Sequence, residues 1–259
     1  MCVNDELATC AVYCCPECQA EDWPKHKRWH KQQRQLEKEH QIVESTPTAW
    51  SLGGFQQMVV DKKASGSNYQ ELVATGFELM QKGHFKAATK KLRRAIALDP
   101  EQPDAYGALS EAMEWSNDTV AGARLKVQAL ERADKRSRFW ACTAAAAFDS
   151  IRAVLPDGME APDWWNDEDL LSMSATVLSM LSHEQNHMPF LMRARVLVHG
   201  TGVTNGTFWQ PGPRGVEDIV EAAKCYSEVA LLWPVAFPEE KQQFEGLSLT
   251  CLAHAASMD

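Results

Sequence analysis

YQELVATGFELMQKGHFKAATKKLRRAIALDP, residues 69–100, decides the fold. Large apolar residues stand at Leu72, Leu79, Phe85 and Leu92, and small ones at Gly76, Ala88 and Ala95. That spacing suits two amphipathic helices. Gly76 and Ala88 let the two approach closely as an antiparallel pair. Gly83 turns the chain between them, and Pro100 bars further helix after the second. The next segment follows on the same schedule, with Tyr106, Leu109 and Met113 in its first helix and Gly122 and Ala129 in its second.

The positions of Gly76, Ala88, Ala95 and Pro100 resemble those at which the 34-residue tetratricopeptide repeat keeps its small residues and closing proline. The register then loosens. SRFWACTAAAAFDSIRAVL (137–155) reads as an apolar helix, PDGMEAPDWWNDEDL (156–170) as an insertion and DLLSMSATVLSMLSH (169–183) as the partner helix. The pattern returns at Phe190, Ala194 and Leu197. After a second insertion, TGVTNGTFWQPGPRG (201–215), it resumes at Ala222, Tyr226 and Pro234. EEKQQFEGLSLTCLAHAASM (239–258) closes the stack. Residues 69–259 are therefore expected to form four helical hairpins and a capping helix, an all-α, tetratricopeptide-like solenoid. The aromatics in the insertions (Trp164, Trp165, Phe208, Trp209) either line a ligand pocket or plug gaps at the edge, and plugging is the expectation.

A different chemistry sits at the N-terminus, in YCCPECQAEDWPKHKRWH (13–30). Cys14 and Cys18 stand in a C-x3-C arrangement, and His26 and His30 in H-x3-H. Residues four apart share one face of a helix, so both imidazoles can point at one ion. Thiolate and neutral imidazole are the usual ligands of Zn²⁺, which takes four in a tetrahedron. A helix opening at Asp22, with Pro24 in its first turn, suits the run that follows.

This stretch resembles the second half of the MYND zinc finger, with Tyr13, Cys14, Cys18, Gln19, Asp22, Trp23, Pro24, His26 and Lys27 in register. Three departures stand out. His30 occupies the place of the last cysteine, Cys15 replaces a serine, and upstream there are only Cys2 and Cys10 where the family has two C-x2-C pairs. Either the chain starts inside the domain, or it holds one zinc through Cys14, Cys18, His26 and His30, with Cys10 as a spare or substitute ligand. The resemblance also implies a groove for short proline-containing peptides of partner proteins, formed by Gln19 and Trp23. The finger with its helical extension is expected over 1–44 and a linker over 45–68, where Pro47, Gly53, Gly54 and Gly66 break the pattern.

The bulk properties narrow the function. The 259-residue chain carries a net charge of −9, which argues against nucleic acid as its main partner. Of eight cysteines, five lie in the first eighteen residues, while Cys142, Cys225 and Cys251 are scattered in apolar surroundings. That distribution suits a metal cluster plus buried thiols in a reducing, intracellular compartment, cytoplasm or nucleus. No apolar run approaches the roughly 20 residues of a membrane span.

Two enzyme readings compete. HEQNH (183–187) matches the H-E-x-x-H string of zinc peptidases, which needs both histidines and the glutamate on one continuous helix. Pro189 and the repeat register instead put it across a junction between hairpins. A relative of the SET-and-MYND methyltransferases would need a catalytic core between finger and repeats, and only 31–68 lies there. The expectation is a non-enzymatic, zinc-binding adaptor for protein partners.

Overall fold

The alternation of large and small residues in 69–100 folds into two helices, α1 (Asn68–Gln81) and α2 (Phe85–Leu98). The structure, a computed structural model, describes residues 68–182, 184–203, 208–234 and 237–258. All belong to a compact unit spanning Gly53–Asp259. The expected finger (1–44) and linker (45–68) lie outside the described residues, except that Asn68 opens α1.

Close approach explains the first hairpin. α1 buries Leu72, Val73, Gly76, Phe77 and Met80, and α2 answers with Ala88, Leu92 and Ala95, all three fully buried. A Cβ at Gly76 would lie 2.6 Å from Leu92 Cδ2, so glycine is what lets Leu92 seat against α1. Gly83 makes the turn at φ +73°, where its N–H donates to the Met80 carbonyl and that of His84 to the Leu79 carbonyl.

α3 (Pro103–Glu114) and α4 (Thr119–Arg132) form the second hairpin. α4 begins and ends 34 residues after α2. The junction between the hairpins is pinned by side chains. Arg132 stacks 4.4 Å above the Tyr106 ring, and Arg132 Nε and the Tyr106 hydroxyl both donate to the Pro100 carbonyl. The Tyr69 hydroxyl accepts from the Ala105 N–H, tying the start of α1 to that of α3.

The pattern continues with α5 (Arg138–Val154) and α6 (Asp167–Leu181), then α7 (Met188–Leu197) and α8 (Val216–Leu232), and α9 (Pro238–Ala256) closes the series. Local capping sets several starts: Asp118, Ser137 and Asn166 each accept a backbone N–H of the first turn. Every helix packs on its chain neighbours, while α1 also meets α3 and α5 meets α7. Among the described residues all regular structure is helical, an arrangement compatible with an α-solenoid. No helix among them is long and apolar enough to cross a membrane.

One layer departs from apolar packing. The residue 34 after Leu92 is Lys126, whose Nζ donates to both Glu114 oxygens (2.5 and 2.6 Å) and to Ser150 Oγ on α5 (2.7 Å). Beside it Glu111 is buried with Oε2 unpartnered. Burial, opposed by Lys126 and reinforced by Glu114, pushes the Glu111 carboxyl up to about 8.

Two outcomes follow from this packing. Gly76→Ala should destabilise the chain by about 1–3 kcal/mol, because the added Cβ collides with the fully buried Leu92, which must shift. In a Leu92→Ala background the same change should cost much less, and urea unfolding of the four proteins would reveal strict additivity if the contact were irrelevant. For Glu111, the ordinary carboxyl value is 4.5, so between that and about 8 the folded chain keeps a proton that the unfolded chain gives up. The stability present below the lower value is lost as pH rises through the upper one. Glu111→Gln should match the parent near pH 5 and exceed it at pH 9 by on the order of a few kcal/mol. Equal melting temperatures at pH 9 would refute a protonated Glu111.

Candidate functional site

The two insertions, whose aromatics are expected to plug gaps at the edge, meet over α5. Trp165 stacks on Phe148 at 5.4 Å, and Trp209 closes edge-on against both. Trp165 Nε1 donates to the Phe208 carbonyl, joining one insertion to the other. Trp165 and Trp209 are buried, and Trp164 and Phe208 half-buried. Trp165 and Trp209 thus fill the space over α5, as the plugging expectation has it.

Arg214 locks this plug. Its guanidinium takes Asp167 in a two-pronged pair (Nη2 to Oδ1 2.6 Å, Nη1 to Oδ2 2.8 Å) while donating to the Leu197 and Val196 carbonyls. It therefore satisfies the last turn of α7 and the first residue of α6 together. Asp167 also accepts from Trp209 Nε1 and the Gly212 N–H. Arg214, assisted by Trp209 and Gly212 against the effect of burial, holds the Asp167 carboxyl down at about 2. His199 stacks on Trp209 at 3.6 Å and donates from Nε2 to its carbonyl; burial lowers its pKa.

A second polar group lies on α5 and α7. Arg195 pairs with Asp149, one turn before Arg152 on α5. The Arg152 guanidinium sits 5.1 Å over the Phe208 ring, with its Nε buried and unpartnered. Burial and the charge of Arg195 pull Arg152 below its ordinary value. His187, buried beside them, packs edge-on against Trp233 at 4.5 Å, and burial lowers it to about 4.

The HEQNH string does not lie on one helix. α6 ends at Leu181 and α7 begins at Met188, with Pro189 in its first turn, so Glu184 and His187 occupy the junction. His183 lies outside the described residues. Glu184 is committed to Arg138 through two bonds of 2.7 Å.

The sequence-predicted ligands Cys10, Cys14, Cys18, His26 and His30, and the groove residues Gln19 and Trp23, all lie outside the described residues. Among the described residues no group of three or more His, Cys, Asp or Glu side chains is gathered for a metal ion. Cys225 and Cys251 are buried and Cys142 half-buried; burial pushes the three thiols up to about 12, 11 and 11. They stay neutral and unreactive near pH 7. Sequence reasoning missed Arg152, Arg195 and the Asp167–Arg214 pair, because no local motif marks partners 46 or 47 residues apart.

No protein-family model matches the chain. No curated protein matches it in sequence.

Asp167→Asn should leave a buried guanidinium without its counter-charge and cost about 2–4 kcal/mol at pH 7. The depressed carboxyl contributes stability that is present above its ordinary value of 3.8 and is lost as pH falls through about 2. The deficit of the variant should therefore shrink in acid. A deficit of the same size at pH 2 and pH 7 in urea titrations would show that the ion pair is not its source.

Proposed function

We propose that this chain is a zinc-binding, non-enzymatic adaptor, in which a MYND-like finger captures proline-containing peptides and a tetratricopeptide-like solenoid offers a second protein-binding surface. The observation that carries the solenoid half is the repeat of one helix, α2, as α4 after an interval of 34 residues, together with the Gly76–Leu92 seat. The finger half rests on the spacing of Cys14, Cys18, His26 and His30 and on its resemblance to the family. In that reading these four side chains hold one Zn²⁺, with Cys10 in reserve, while Gln19 and Trp23 grip the peptide. The partners are intracellular proteins presenting short peptide segments. The engagement of Glu184 by Arg138 in a turn supports the adaptor reading over zinc-peptidase chemistry.

Metal analysis of the purified chain tests the proposal directly. One zinc per chain is expected, lost in Cys14→Ala. Chelation should leave the helical signal of the repeats, because a structural zinc of this kind contributes on the order of 10 kcal/mol locally. Trp23→Ala should keep the zinc yet weaken capture of a proline-containing peptide by about 2 kcal/mol, as loss of an aromatic anchor does. Full zinc content in Cys14→Ala, or peptide hydrolysis abolished by Glu184→Gln, would overturn the reading.

A further inference from the structure

Arg152 makes no ion pair of its own among the described residues, and the acidic neighbour that acts on it, Asp149, is paired with Arg195. His187 and His199, whose pKa values are both lowered, add no full charge near pH 7. Tyr226 on α8, its phenol pushed up to about 12 by burial, keeps its proton and interacts with both Arg152 and Arg195. With two arginines against Asp149, this spot carries an excess positive charge in a chain whose net charge is −9.

The geometry around the guanidinium is equally one-sided. Phe208 covers one face of its plane, an arrangement that stabilises the cation without using its N–H groups. Nε is buried and has no acceptor among the described residues. A buried guanidinium N–H without an acceptor is costly, and a carboxylate or phosphate oxygen is the acceptor a guanidinium takes best. Phe208 comes from the insertion between α7 and α8, whereas Arg152, Arg195 and Tyr226 stand on the helices themselves.

We propose that Arg152, backed by Phe208 and flanked by Arg195 and Tyr226, is a binding site for an oxyanion, the carboxylate or phosphate group of an acidic ligand. The guanidinium edge takes two oxygens of the ligand, and Arg195 supplies a second charge at longer range. The inference is independent of the finger and of the adaptor reading.

Titration calorimetry of the full chain with inorganic phosphate and with triglutamate, at constant ionic strength set by chloride, tests the site. Saturable binding of one or both is expected, and whichever binds identifies the group recognised. Arg152→Gln should weaken it about tenfold or more, the loss of a charge-assisted hydrogen bond or two. Arg152→Lys should recover only part, since a point charge lacks the fork. Asp149→Asn frees Arg195 and should tighten binding; this variant keeps Arg152 in place and gives the answer even if the Arg152 substitutions fail to fold. Absence of saturable binding by either probe overturns the proposal. So does binding unaffected by Arg152→Gln, or binding unchanged or weaker in Asp149→Asn.

Discussion

Arg214 is the residue on which the C-terminal half of the repeat region depends. An arginine that is 4 % exposed has to find acceptors for its N–H groups inside the protein. It finds them at two places that chain connectivity alone would leave apart, the carboxylate opening α6 and the last carbonyls of α7. Two insertions that break the helical pattern are thereby turned into a packed edge, with Trp165, Trp209 and Phe148 filling the space between them.

The N-terminal half obeys a different constraint, the distance at which two helices can lie. Gly76 sets it in the first hairpin, where Leu92 takes the space a side chain would fill. One period later Ser110 and Lys126 stand at the corresponding places, and the apolar seat becomes a hydrogen-bonded one built from Lys126, Glu114 and Ser150 beside a buried Glu111. The backbone repeats while the chemistry between the helices does not. A polar layer of this type specifies its partners more narrowly than leucine does, and it makes stability depend on pH.

The HEQNH stretch shows how a string of residue types differs from a site. Zinc-peptidase chemistry needs a continuous helix to bring ligands and base to one water. Here the helix ends before Glu184 and restarts after His187, because Asn186 accepts the Met188 N–H and Pro189 favours a first turn. The glutamate then finds Arg138 on another helix.

What the sequence determined by itself was whatever depends on near neighbours. Gly83, Pro100 and the small residues at Gly76, Ala88 and Ala95 announced the first hairpin, because turn formation and helix periodicity are set within a few residues. The loosened register after 137 likewise announced two insertions, and the spacing of Cys14, Cys18, His26 and His30 carries a metal expectation of the same local kind. Tertiary structure alone decided which charges meet. Arg214 and Asp167 are 47 residues apart, and so are Arg152 and its excess charge invisible until Arg195 is seen to take Asp149. The physical reason is that an ion pair is selected by proximity in space and by the cost of burying a charge alone, neither of which leaves a periodic trace along the chain.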